Sequence, residues 1–435
     1  MTTTATYNKV KTNIAWMPEL PEHWKLSRVK NYFTFSNEVV GEDYSGFNVL
    51  SLSVNGVIIR DMESGKGKHS MSMDLYQIVE PKSIILCLFD MDVTPRIVGI
   101  CENLGIITSA YTTIVPKDNV CERFYYYFFL HQDYNKSLKA QGTGVRTTLT
   151  NTQFGAVKIP IPPYQEQIQI ANYLDTQSQK INHFIAKKQQ FIALLKEQRQ
   201  SVINEAVTKG INKKVKLKDT DCQFCTQIPE NYLIEKFNNY VSIKHGFQFR
   251  DGDFTAEGVK IVKISQLNPN GYLDLTNADT ISSKRIKEFA NIIIKDGDIL
   301  MALTGGTIGK LIIANTNEEI LLQNYRVGNF TVNNEQVLLK EYLYMQLCSP
   351  FIQSQINFFV RETGQPNIGK GDFRKLKIVI PPFEEQTQIV NQIKTETVII
   401  DTAIAKTERE IELIKEYKEA MIAEAVMGKV NFNKK

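Results

Sequence analysis

The chain has 435 residues, of which 43% are hydrophobic and 23% charged, with 51 basic against 47 acidic side chains and a formal net charge of +4. That length holds two to three domains with buried cores, and the composition is that of a globular protein, not a disordered one. No apolar run is long enough to span a membrane, the polar start is unlike a signal peptide, and the six cysteines lack the dense spacing of a disulfide scaffold. The expectation is therefore a cytoplasmic protein with reduced thiols and no membrane partner.

In chain order, an opening segment runs from Trp16 to Trp24, followed by short β-branched stretches bounded by Gly, Asp, Asn or Pro, which read as strands (Ile84–Phe89 and Ile97–Ile100). Aromatic and aliphatic spacing predicts a helix over Arg123–Leu138. Pro162-Pro163 then marks the start of a helix with no Gly or Pro before Val207, and Gly210 supplies a stop. A polar, charged stretch from Lys213 to Gln223 reads as a linker.

The same order then repeats. Phe224–Tyr232 matches the first opening at an offset of 208; strands are expected at Ile292–Ile294, Ile299–Leu303 and Leu311–Ala314, and a helix over Leu338–Phe359. Pro381-Pro382 begins a second uninterrupted helix to Val426, with Gly428 beyond it. At an offset of 219, about 24 of the 55 positions in 158–212 and 377–431 are identical. The change of offset from 208 to 219 makes the second middle about eleven residues longer. So long a period excludes a solenoid and implies two copies of a domain with its appended helix. Each helix of about 44 residues would be about 65 Å long, too long for one domain of its size.

Both helices accept one heptad frame. Its apolar positions include Leu174, Ile181, Ile185, Ile192 and Leu195 in the first copy, and Ile393, Ile400, Ile404, Ile411 and Ile414 in the second. Polar residues interrupt it at the same three layers, at Ser178, Lys188 and Arg199 and at Thr397, Thr407 and Lys418. A sustained heptad predicts a coiled coil, and its polar layers a specified register.

Catalytic signatures are absent from the sequence. Gly305-Gly-Thr-Ile-Gly309-Lys310 has three residues between its outer glycines where a phosphate loop needs four, and Leu311 follows where Ser or Thr would hold magnesium. Ile161-Pro-Pro-Tyr164 resembles the Pro-Pro-Tyr core of amino-methyltransferases but lacks the leading Asn or Asp that accepts a hydrogen bond from the target amine, as does Ile380 in the other copy. Cys222 and Cys225 have no second ligand pair, so no metal site is expected, and the histidines show no ligand spacing. No catalytic residue and no cofactor are assigned to the chain.

Binding remains. Glycine-bearing basic loops rich in amides and hydroxyls suit phosphates and base edges. In the first copy they supply Arg60, Lys66, Lys68, His69, Arg96, Thr143, Arg146 and Thr147. In the second they supply Lys244, Arg250, Thr304, Thr307, Lys310, Gln323, Arg326, Arg361, Gln365, Asn367 and Lys370. Arg146, Arg326, Gln323, Gln365 and Asn367 are the base-reading candidates, because Arg matches guanine O6/N7 and Gln or Asn matches adenine N6/N7; the lysines suit phosphates. The competing reading is an adaptor whose two strand-rich modules bind other proteins; a nuclease or methyltransferase in its own right lacks the motifs.

Several motifs, in order and mostly twice, carry a resemblance. They are Leu20–Trp24 and Ile228–Tyr232, Asp296-Gly-Asp-Ile-Leu300, Thr304–Lys310, Thr363–Ile368, and Ile-Pro-Pro-(Tyr/Phe)-x-Glu-Gln-x-Gln-Ile at 161–170 and 380–389. Over nearly its whole length the chain resembles the specificity subunits of type I restriction–modification systems.

The resemblance implies an α+β fold: two strand-rich target recognition domains in tandem repeat, each followed by a long helix, the two helices forming an antiparallel coiled coil. The expected boundaries are 1–155 and 225–373 for the recognition domains, 156–212 and 374–435 for the helical spacers, and 213–224 for the linker. It further implies that each domain reads half of a bipartite, asymmetric site in double-stranded DNA and that the helices set the spacer. The implied partners are two methyltransferase subunits acting on adenine N6, and restriction/translocase subunits. S-adenosylmethionine, ATP and Mg would be bound by those partners. The first copy departs from the pattern, with Glu80–Ile85 and Gly142–Thr148 in place of the second copy's motifs.

Overall fold

The computed structural model describes residues 7–61, 72–142, 147–268, 271–362 and 367–432. The chain forms two compact units, Met1–Gln189 with Glu408–Lys435, and Gln190–Thr407. Each long helix thus gives one half to each unit.

In the first unit, Lys9–Lys11 pairs with Glu19–Pro21 as a hairpin, and Lys25–Arg28 lies antiparallel to Lys158–Ile161, the strand that leads into the first long helix. Between them in sequence, an antiparallel sheet is ordered Phe33–Ser36, Thr112–Pro116, Ile84–Leu86, Val98–Ile100. Two smaller antiparallel pairs join Leu50–Ser53 to Gly56–Ile59 and Gln77–Val79 to Gly105–Ile107. The predicted helix is realised as Glu122–Tyr134. Its aromatic face of Phe124, Tyr125, Phe128 and Phe129 is fully buried, each ring contributing about 2–3 kcal/mol of apolar burial. Met421, Ile422, Ala425 and Val426, from the end of the second long helix, complete this core.

The second unit repeats the plan. Leu217–Asp219 pairs with Gln227–Pro229, and Leu233–Lys236 with Lys377–Ile380. Part of the stretch read as linker is therefore the first strand of the opening hairpin. A four-stranded antiparallel sheet runs in the equivalent order Val241–His245, Val327–Val332, Ile299–Ala302, Leu311–Ile313. The longer middle builds a five-stranded sheet absent from the described residues of the first unit, in which Val259–Val262 and Leu321–Gln323 are parallel. The helix expected over Leu338–Phe359 is two helices, Lys340–Cys348 and Pro350–Glu362. Pro350 cannot donate to the preceding turn and starts a new one. Extended Ser349 caps that helix, its Oγ accepting from the Ile352 amide at 3.4 Å. Ile203, Ala206 and Val207 of the first long helix enter this unit's core.

The long helices span Tyr164–Lys209 and Phe383–Val426. Gly210 and Gly428 follow at φ +72° and +64°, left-handed stops that suit glycine. The heptad positions Leu174, Ile181, Ile192, Leu195, Ile393, Ile400, Ile404 and Ile411 are buried, and Ile185 and Ile414 are partly so. Residues of rising number on the first helix meet residues of falling number on the second, which makes the pairing antiparallel. In the first unit, Lys418 donates to Asn182 Oδ1 (2.9 Å) and Lys188 pairs with Glu410 (2.6 Å); in the second, Arg199 pairs with Asp401 (2.8 Å). Lys188, Arg199 and Lys418 of the polar layers thus find cross-helix partners, each half-exposed pair contributing about 1 kcal/mol or less, while Thr397 and Thr407 donate to carbonyls of their own helix.

Candidate nucleic-acid interface

The motif with the strongest repeat signal is a joint that fixes each strand-rich domain to its helix. Gln167 and Gln386, in the first turn of each long helix, are 1% and 0% exposed. Gln167 Oε1 accepts from the backbone N–H of Cys121, the N-cap of the Glu122–Tyr134 helix (2.9 Å), and its Nε2 donates to the Pro162 carbonyl (2.9 Å). Gln386 does the same for Leu339, the N-cap of Lys340–Cys348 (2.8 Å), and for the Pro381 carbonyl (3.1 Å), and donates also to Val337 (2.9 Å). The preceding Glu166 and Glu385 accept from near the start of each copy: Glu166 from Tyr7 and, at 2.8 Å, His23; Glu385 from Tyr232 at 2.6 Å. Burial and the Glu385 carboxylate push the Tyr232 phenol well up, which keeps it a donor. The sequence shows these residues repeating but not what they hold, because their partners lie as much as 159 residues away.

In each unit, loops meet at one end of the two central strands of the four-stranded sheet. In the second, Leu303 N–H donates to the Arg326 carbonyl (2.9 Å), Ile368 N–H donates to the Leu303 carbonyl (2.9 Å), and Thr304 bridges Asn367. Candidates from three separate stretches, Thr304, Arg326 and Asn367, are thereby brought together. Arg326 is exposed; its Nε donates to the Tyr325 hydroxyl (2.7 Å) and its guanidinium lies 5.3 Å from that ring. The Thr304 hydroxyl is buried and has no hydrogen-bond partner among the described residues. Thr307 is exposed and Lys310 half-buried in the adjoining glycine turn. Lys244 and Arg250 are exposed, and the Arg250 amide donates to Asp253 (2.9 Å).

Other candidates have different roles. Gln323 is 1% exposed, and its amide is spent on the carbonyls of Lys244 (2.8 Å) and Val327 (2.7 Å), so it ties the sheet together and presents no amide to a base. Arg96 is mostly buried: its guanidinium lies 5.1 Å from the Tyr134 ring centre, with Nε 3.6 Å from Asp133. That position is a packing role. Arg60 is half-buried, its amide donating to the Val49 carbonyl (2.7 Å). Thr147 donates through Oγ1 (2.6 Å) and N–H (3.2 Å) to Asp92, which also pairs with Lys139. The Lys139 and Thr147 hydrogen bonds hold the Asp92 carboxyl down to about 2. Lys66, Lys68, His69, Thr143, Arg146 and Gln365 lie outside the described residues, as do the side chains of Arg361 and Lys370.

Cys222 and Cys225 are buried in the second core, where burial pushes the Cys225 thiol up. Among the described residues no group of three or more His, Cys, Asp or Glu is placed to hold a metal, and no helix is long and apolar enough to cross a membrane.

Comparison with known proteins bears on both units. Residues 105–193 and 241–413 match the family described as the type I restriction modification DNA specificity domain. The chain is 24% identical to the type I restriction enzyme MjaVIII specificity subunit of Methanocaldococcus jannaschii, over 94% of each chain. It is 22% identical to the EcoBI specificity subunit of Escherichia coli, over 97% of this chain and 89% of that one. A chain from a solved structure of a type I R-M system has the same fold, with a TM-score of 0.67 and 13% identity, over 94% of this chain and 99% of that one.

Proposed function

Since the chain belongs to the type I restriction modification DNA specificity domain family, matched over more than half its length, we propose that it is the DNA-reading subunit of a type I restriction–modification complex. Each unit reads one half of a bipartite, asymmetric site in double-stranded DNA, and the paired helices set the spacer between halves. The observation that carries this reading is the pattern of likeness. The joints at Gln167 and Gln386 and the long helices are alike in both copies, while the loops at the sheet ends carry different side chains. A frame must be alike where like partners dock; readers of two different half-sites must differ.

The chain itself is non-catalytic in this account. Two methyltransferase subunits supply the adenine N6 chemistry with S-adenosylmethionine, and restriction/translocase subunits supply ATP- and Mg-dependent cleavage, in the cytoplasm where the DNA is. Exposed apolar residues on the helices support docking of like partners: Leu194 and Leu413, equivalent at the repeat offset of 219, are 62% and 47% exposed. The test is to exchange residues 225–373 for the corresponding domain of another family member and map methylation. One half-site changes and the other is kept; a change in both halves contradicts independent reading.

A further inference from the structure

The first unit contains a counterpart of the second unit's glycine turn that sequence comparison does not show. Gly305–Gly309 corresponds to Asp90–Thr94. Gly305 and Asp90 both have positive φ, +74° and +48°. The turn closed by Ile308 N–H on the Gly305 carbonyl (3.3 Å) recurs as Val93 N–H on the Asp90 carbonyl (3.1 Å). The residues just upstream, Leu303 and Leu88, accept from Ile368 and Leu149, which are themselves equivalent at the offset of 219. The same two loops therefore meet at the corresponding end of both sheets.

Their chemistry is opposite. The second unit's turn, Gly-Gly-Thr-Ile-Gly, has no acidic side chain and can lie along phosphates. The first unit's turn, Asp-Met-Asp-Val-Thr, has no glycine, and its Asp92 is already paired with Lys139, so it offers no open backbone cradle to phosphates and meets a duplex through its side chains. It is also pinned: Thr147 and Lys139 hold Asp92, and Thr94 Oγ1 donates to the Asp90 carbonyl at 2.9 Å. At its tip Val93 is 79% exposed, whereas its counterpart Ile308 is half-buried. A fixed, branched apolar tip on a reading loop matches the one apolar group of the major groove, the thymine C5 methyl.

We propose that Val93 is a base-reading residue of the first recognition domain, contacting a thymine methyl in the first half-site. The proposal rests on the DNA-reading function above. The experiment uses the full chain with its methyltransferase partner and duplexes in which each thymine of the site is replaced in turn by uracil, which removes only the methyl. Wild type loses about fourfold in affinity at one position of the first half-site, the worth of one buried methyl. Val93→Ala loses a similar factor on the thymine duplex, and uracil at that position costs it nothing more. If no uracil in the first half-site weakens wild type, or if Val93→Ala and that uracil lose affinity independently, the proposal is overturned. A wild-type complex that selects no bipartite site overturns it together with the reading on which it rests.

Discussion

Replacing Gln386 by leucine removes three hydrogen bonds from a fully buried amide: from Leu339 N–H, to the Val337 carbonyl and to the Pro381 carbonyl. The donor left unpaired in an apolar surround costs about 1–3 kcal/mol, and two carbonyls each lose a partner besides. The total is about 3–5 kcal/mol. In a unit of this size, 1 kcal/mol moves the melting point by about 2–4 °C, so the second unit melts roughly 10 °C lower. Gln167→Leu removes two bonds and lowers the first unit by less. Gln386→Glu keeps the shape but turns a carboxylate oxygen toward two carbonyls, and is worse than leucine. Calorimetry with urea unfolding reads these changes. A loss below about 0.5 kcal/mol for Gln386→Leu refutes the joint as a structural weld and leaves the repeat of this motif without its physical reason.

Two other outcomes follow from the helices and the turn that carries Asp92. Inserting one heptad at matched layers of both long helices adds about 10.5 Å, or about three base pairs of spacer, while keeping the apolar register; methylation mapping that returns the original spacer contradicts the proposal that the helices set it. The Asp92 carboxyl, held down to about 2 in the folded state, adds stability that is present above its ordinary pKa of 3.8 and lost as pH falls toward 2. Asp92→Asn is therefore less stable than wild type at pH 6, and the two converge near pH 2 in acid-titrated unfolding; an unchanged gap at both ends contradicts the clamp.

The long helices were legible because nothing between Pro163 and Gly210, or between Pro382 and Gly428, interrupts a helical period. Their coiled-coil character was legible from the shared heptad, but not the cross-helix partners: in the antiparallel pair Lys188, Arg199 and Lys418 meet Glu410, Asp401 and Asn182, none of them a repeat counterpart. The break at Pro350 was marked in the sequence too, but a continuous apolar pattern on either side outweighed it. Gln323 shows a different limit: an amide suited to an adenine edge is equally suited to capping backbone carbonyls, and only its burial decides between them. The turn at Asp90–Thr94 was hidden because its likeness to Gly305–Gly309 lies in backbone angles and hydrogen bonds, not in side chains. The hairpin strand Leu217–Asp219 was hidden because a short, charged, exposed strand has the composition of a linker.

The measurement that bears most directly on two independent readers held at a set distance is methylome sequencing of cells carrying this chain with its methyltransferase partner, against cells lacking the chain. The account predicts N6-methyladenine that depends on the chain, at two dissimilar half-sites separated by a spacer of constant length and free sequence. A continuous or palindromic motif, or methylation unchanged by removing the chain, would contradict it.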